Sequence, residues 1–216
     1  AMFLCGYDPE GHVAQFEREP YISLTNWPRG SQSRLSHYGA AYLWMLYLGE
    51  QHGGQETIAA IVKGRGNSIT GINNALLSQG VTKTFSTIFA DWKIANFVDD
   101  TELADGQYGY RNEELNLRAR RTHSSYPVTV VGNVLDSYAA DYIALSANGG
   151  DRGLNVAFET DGSRPYDLRA IEFRDGRAIG VRDVPLTSTG KGNLISSNFG
   201  SSVEKIILVP SAQPQG

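Results

Sequence analysis

Arg34-Leu35-Ser36-His37-Tyr38-Gly39-Ala40-Ala41-Tyr42-Leu43-Trp44-Met45-Leu46-Tyr47-Leu48-Gly49-Glu50-Gln51-His52-Gly53 is the stretch whose reading decides the fold. Leu35, Tyr38, Tyr42, Met45, Leu46 and Gly49 recur at helical spacing and form one apolar stripe. Leu43, Trp44, Tyr47 and Leu48 fill the other side, so the helix is apolar nearly all round. Its apolar part falls short of the roughly 20 residues that a bilayer span requires. The expectation is therefore the central helix of a packed domain. Ser31 or Ser33 is placed to cap its start, and Gly53-Gly54 supplies a left-handed stop. Gly39-Ala40-Ala41 keeps one turn small, so another backbone can approach there.

Around this helix, residues 1–104 read as helical. Ala1–Cys5 looks like the tail of a helix, and His12–Glu19 like a short one before Pro20. Residues 21–28 read as extended. Gln55–Lys63, the run holding Ile69, Ile72, Leu76 and Leu77, and a helix capped by Thr84 complete a compact bundle. Trp27, Trp44 and Trp92 are assigned to packing, and His12 and His52 to solvent-facing positions near glycines.

From about Gln107 the period changes to two. Leu154, Val156 and Phe158 alternate with Asn155 and Glu159 as a half-buried strand. Asp175-Gly176, between two apolar runs, is a two-residue hairpin signal. Ile206–Val209 reads as a central strand. With Val128–Val134, Tyr138–Leu145 and Asn193–Phe199, about seven strands result, the number expected of a sandwich or jelly roll. Ser211–Gly216 is expected to fray. The fold class is thus α+β: an N-terminal helical bundle over 1–104, then an antiparallel, jelly-roll-like β-sandwich over 105–216.

The 216 residues, 41% hydrophobic and 19% charged with a net charge of -4, can bury real cores and carry no basic field for nucleic acid or an anionic membrane. One cysteine, Cys5, excludes an internal disulfide framework and a cysteine-rich zinc site. No signal peptide is read in Ala1–Cys5, and the chain begins within an apolar run as though it continued a longer one. No two of the four histidines, His12, His37, His52 and His123, stand three or four apart, so H-E-x-x-H is missing. G-x-S-x-G, the P-loop and the dinucleotide fingerprint are missing too. Asp99, Asp100 and Glu102 read as a calcium cluster or a solvated helix end, and lack the spacing of an EF-hand. Arg118, Arg120 and Arg121 read as an anion-binding run or an exposed connector.

The order Asn26-Trp27-Pro28, His37–Leu43, Gln51-His52-Gly53-Gly54 resembles the chain just downstream of the zinc site in secreted bacterial metallopeptidases. Phe89–Asn96, Tyr108-Gly109-Tyr110, Tyr138–Ile143, Asn198-Phe199-Gly200 and Val209-Pro210 continue the pattern over nearly the whole chain. The relatives are the hyicolysin-like and immune-inhibitor-A-like peptidases of the gluzincin group. The resemblance implies an extracellular zinc endopeptidase acting on peptides or proteins, with its H-E-x-x-H ligands in a segment preceding Ala1. Zinc needs three protein ligands and an open position. This chain is accordingly expected to be a piece of the parent enzyme, recombinant, proteolytic or part of a nicked protein, and inactive alone.

In related gluzincins a downstream tyrosine or histidine donates a hydrogen bond to the oxyanion. The resemblance carries that role to Tyr38 first and His37 second, with Tyr38 and Tyr42 as core aromatics the other reading. Asp91 is read as an orienter of a histidine or, with Asn96, as a bond between helices. The expected partners are the preceding catalytic segment or a second copy, through an uncovered face of the helical part near Gly39. A different reading makes the chain a non-catalytic module whose β-sandwich binds protein or carbohydrate, with Tyr126, Tyr138 and Tyr166 available. An independent metal-free enzyme finds no nucleophile–base pair.

Overall fold

The computed structural model describes residues 9–27, 34–132, 135–150 and 152–214. The architecture is α+β, with helices preceding strands. Helices α1 (Glu10–Arg18), α2 (Arg34–Gln51), α3 (Gly54–Lys63), α4 (Ser68–Ser78) and α5 (Phe85–Val98) are followed by β1 (Arg121–His123), β2 (Ile143–Ser146), β3 (Leu154–Glu159), β4 (Tyr166–Arg174), β5 (Arg177–Asp183), β6 (Lys191–Ser196) and β7 (Lys205–Ala212). The chain forms two compact units, one holding the helices up to Asn116 and the other the strands together with residues 20–27.

In the helical unit, Leu43, Trp44, Tyr47 and Leu48 of α2 are buried, as the apolar run requires. Trp44 lies 4.6 Å from Phe85 and edge-on to Trp92 at 5.5 Å, and Phe16 of α1 stacks on Trp92 at 5.9 Å. These rings make the core, and aromatic pairs at such distances add to plain area burial. Gly39 sets the spacing of α1 and α2: a Cβ there would overlap the His12 carbonyl. The small turn is thus the place of close helix approach, and it is covered by α1 rather than open. Thr84 caps α5 by accepting from the Thr87 N–H. Gly53 and Gly54, both at positive φ, break the chain after α2. Ala1–Cys5, Ser31 and Ser33 lie outside the described residues.

Polar contacts extend this unit beyond residue 104. The Glu50 carboxylate accepts from the Arg111 N–H at 2.8 Å and the Asn112 amide at 2.7 Å. Asp99, left-handed at the end of α5, accepts from the N–H groups of Leu115 (2.7 Å) and Tyr110 (2.9 Å). Glu17 of α1 takes the Asn116 N–H at 2.6 Å. Residues 105–116 carry little apolar periodicity, which is why the change of period alone puts the boundary too early.

In the second unit, a five-stranded sheet runs in the order β1-β2-β7-β4-β5 and a ribbon pairs β3 with β6. All ladders are antiparallel except β1–β2, which is parallel. β7 is central, and its Ile206, Ile207, Leu208 and Val209 are all buried, as expected of a strand apolar on both faces. Leu194 of β6 and Leu154, Val156 and Phe158 of β3 pack on Leu145, Leu168 and Leu208 of the larger sheet. Asp175 and Gly176 take φ of 50° and 75° between β4 and β5, the double positive φ of a tight hairpin. The structure departs from three expectations. β7 continues to Ala212 because Tyr166 and Asp167 pair with Ala212 and Ser211, so residues 211–212 do not fray. Residues 128–132 form no strand, and the Tyr138–Leu145 run is regular strand only from Ile143: Tyr138 opens it with φ of 55°, and Ala140 makes only an isolated bridge to Ser211.

Residues 20–27 are not a simple extended segment. The Ser23 hydroxyl donates to the Ser137 carbonyl at 2.6 Å and the Leu24 N–H to the Tyr138 carbonyl at 2.9 Å. Trp27 is 37% exposed, with its indole N–H on the Leu24 carbonyl, so it is not a core residue.

The α1–α2 contact yields a stability prediction. Gly39→Ala lowers the urea midpoint by the equivalent of about 1–3 kcal/mol, through overlap with the His12 backbone. Gly11→Ala on the same α1, where a Cβ meets nothing within 4 Å, leaves stability unchanged or raises it.

Candidate functional site

α2 is covered unevenly. Ser36, His37, Gly39 and Ala40 are buried, whereas Leu35 is 43% and Tyr38 45% exposed. Ala41, Tyr42, Met45, Leu46 and Gly49 are half-buried. The stripe begun by Leu35 and Tyr38 is therefore an incompletely covered apolar face. A helix turns about 100° per residue, so neighbouring His37 and Tyr38 fall on different sides. His37 is 4% exposed and lies inside; Tyr38 lies outside. The two candidate donors are not brought together.

His12, read from sequence as solvent-facing, is half-buried with its ring 5.7 Å from that of Tyr38. The cause is local. The His12 carbonyl occupies the space above Gly39, so the imidazole comes down beside the residue preceding it. Glycine at 39 followed His12 by too long an interval for the pairing to show in sequence.

His52 is also half-buried, edge-on to Tyr47 at 5.7 Å, and its Nε2 makes no hydrogen bond among the described residues. Burial, reinforced by nearby Lys83 and opposed by Asp91, holds its pKa below the ordinary histidine value. Asp91 pairs with Lys83 at 2.8 Å, and Asn96 accepts from the Tyr110 hydroxyl at 2.6 Å. Both of these contacts are to side chains. Asp99 closes α5, and Asp100 accepts from the N–H groups of Glu102 and Leu103, so the acidic run builds a helix end and turn. Burial raises the Asp99 pKa despite the two backbone N–H groups that favour its ionised form. No cluster of three His, Cys, Asp or Glu able to hold a metal occurs among the described residues. Arg120 stacks on Tyr21 at 4.4 Å, whereas Arg121 donates to the Val131 carbonyl and opens β1, so the run is not wholly an exposed connector.

Lys93 went unremarked in the sequence, although a lysine inside the apolar run Phe89–Phe97 was the available signal. It is 1% exposed, with Nζ 4.6 Å from the Trp92 ring centroid, 5.1 Å from Phe89 and 5.7 Å from Phe16. Ring faces attract the ammonium but replace only part of its lost hydration. Burial accordingly brings its pKa down to about 7.

The second unit carries a groove of about 780 Å³. Its walls are β3 with its flanks, from Gly153 to Asp161, and residues 126–130; its floor is Ile143, Leu145 and Leu208 of the larger sheet. Leu154, Val156 and Phe158 are only half-buried, although Leu194 and Ser196 of the paired β6 are buried, because the sandwich is open along β3. Tyr126 and Tyr166 line this groove, whereas Tyr138 is 2% exposed and takes no part in it. Comparison with protein-family models, characterised proteins and solved structures finds no match.

Lys93 has a measurable consequence. Between about pH 7 and pH 10.5 the unfolded chain binds the lysine proton and the folded chain does not. Stability therefore rises with pH through that window, by up to roughly 1.4 kcal/mol per pH unit from this group, and the full cost of charging it is present below pH 7. Lys93→Met is expected to raise the urea midpoint at pH 7 and to flatten this rise, read from melts at pH 6, 8 and 10. An unaltered slope in the variant would assign the pH dependence to other groups.

Proposed function

We propose that the chain is part of a secreted, zinc-dependent endopeptidase of the gluzincin type, standing after the zinc-binding helix, with Tyr38 as hydrogen-bond donor to the oxyanion formed from the scissile carbonyl. The exposed Tyr38 at the head of a half-covered apolar stripe carries this reading. A helix apolar on nearly every side normally buries all of them, and a face left open on such a helix suits a further element packing there. The described residues gather no metal-binding cluster, so they do not fit a zinc site by themselves. The ligands belong, in this reading, to a segment that meets the α2 face.

Within that enzyme the tasks of this chain's residues follow from their placement. Tyr38 offers a phenol at the surface, where a donor aimed at developing negative charge stabilises a transition state. His12 lies against the phenol ring and positions it. His37, being buried, is left to packing. No helix among the described residues is long and apolar enough to cross a membrane.

The test is kinetic, on the enzyme that joins this chain to its zinc-binding segment. Tyr38→Phe lowers kcat by about 10²–10³-fold with little change in KM, as expected for removal of one oxyanion donor. Tyr42→Phe, on the same stripe, leaves kcat within about threefold. An unchanged kcat in the Tyr38 variant would return Tyr38 to a packing role.

A further inference from the structure

The groove of the second unit follows an open strand edge. The Thr160 N–H donates to the Gly190 carbonyl, making that pair a hydrogen-bonded one. On the other side of the ribbon, the Ile195 carbonyl accepts from Arg182, and the Lys191 carbonyl from the Thr187 N–H. Ile195 and Lys191 face Asn155 and Glu159 in the register, so both pairs are non-hydrogen-bonded. By the alternation of an antiparallel ladder, the N–H and C=O groups of Asn155, Ala157 and Glu159 point away from β6. Among the described residues no strand pairs with them. An unpaired edge is a template for another chain.

The surroundings specify what that chain is. Ile143 and Leu145, alternate residues of β2, present an apolar floor to the groove beside the half-buried Leu154, Val156 and Phe158. Asp141, Glu159 and Asp161 line it, and among the described lining residues there is no lysine, arginine or histidine. Glu159 pairs with Lys191 at 2.8 Å, but both side chains are more than half exposed, so a guest cation can share that carboxylate at little cost. Asp161 is held ionised by hydrogen bonds from Ser163.

The aromatic residues are engaged elsewhere. Phe158 is edge-on to Tyr166 and Tyr126 edge-on to Phe199. The Tyr126 hydroxyl lies 3.0 Å from the carbonyls of His123 and Ser146, and the Tyr166 hydroxyl accepts from the Leu135 N–H. Rings and hydroxyls so occupied suit a sugar poorly. Main-chain groups, apolar pockets at alternate positions and a carboxylate rim suit an extended peptide.

We infer that this groove receives an extended polypeptide segment, which adds as a third strand to β3 at Asn155, Ala157 and Glu159, buries alternate aliphatic side chains over Ile143 and Leu145, and sets a lysine or arginine against Glu159 and Asp161. This is strand addition, in which the main chain supplies affinity and the pockets supply selectivity. It does not depend on the peptidase reading.

The experiment uses the full chain labelled with ¹⁵N and a capped nonapeptide of alternating valine and threonine with an arginine at each end. The peptide shifts the amide resonances of Asn155, Ala157 and Glu159 and slows their hydrogen exchange, with a Kd below about 1 mM. The same peptide N-methylated at every second residue along its pairing edge binds at least about tenfold more weakly, a comparison that requires no protein variant. Ala157→Pro, which removes an outward N–H without touching the β6 ladder, abolishes the shifts, while Ala157→Thr keeps them. Equal binding of the N-methylated peptide would overturn strand addition. So would the absence of shifts up to about 5 mM peptide, or shifts confined to maltohexaose, which would make the groove a sugar site.

Discussion

The helical unit depends on the empty space at Gly39. Because position 39 has no side chain, the His12 carbonyl can sit against α2, and α1 lies close enough for Phe16 to stack on Trp92. That stack also makes one wall of the ring cage around Lys93. At the end of the same α1, Glu17 holds the Asn116 N–H, so the spacing of two helices reaches to the far end of the unit. Widening the gap by one methyl would disturb the aromatic core and the last residue that the unit holds.

The sequence is readable where one local rule decides the outcome. Asp175-Gly176 turns because a two-residue hairpin needs two positive φ values, and those residues tolerate them. Thr84 caps α5 by its own side chain, and β7 is central because it is apolar on both faces. Reading fails where the partner is distant. Residues 20–27 join the strands through Ser137 and Tyr138, more than a hundred positions away, and carry no periodicity that betrays this. Tyr138 opens a strand-like run with a left-handed backbone that its side chain does not advertise.

The candidate site was legible only in part. An all-round apolar helix states that α2 is central, but its symmetry hides which stripe stays uncovered. Burial distinguishes Tyr38 from His37, adjacent in sequence and on different sides of the helix. The neighbour of Tyr38 came from α1, placed by a backbone contact with Gly39 rather than by a side-chain pattern. On β3, alternation correctly marks Leu154, Val156 and Phe158 as the inner face, but it cannot tell a closed sandwich from one with an open side. That distinction is made by which edge of β3 the register leaves without a strand partner among the described residues.

The membership of residues 20–27 bears on how such a molecule is inherited. After α1 the polypeptide enters the strand-bearing unit at Pro20, leaves it for α2 to α5, and returns at Leu117. A gene segment encoding 117–216 alone would lack the Ser23 hydroxyl and Leu24 N–H that satisfy the Ser137 and Tyr138 carbonyls. The strand-bearing unit is thus not a portable cassette. Moving residues 20–216 together would carry α2 to α5 as an insertion but leave behind α1, whose His12 carbonyl fills the space at Gly39.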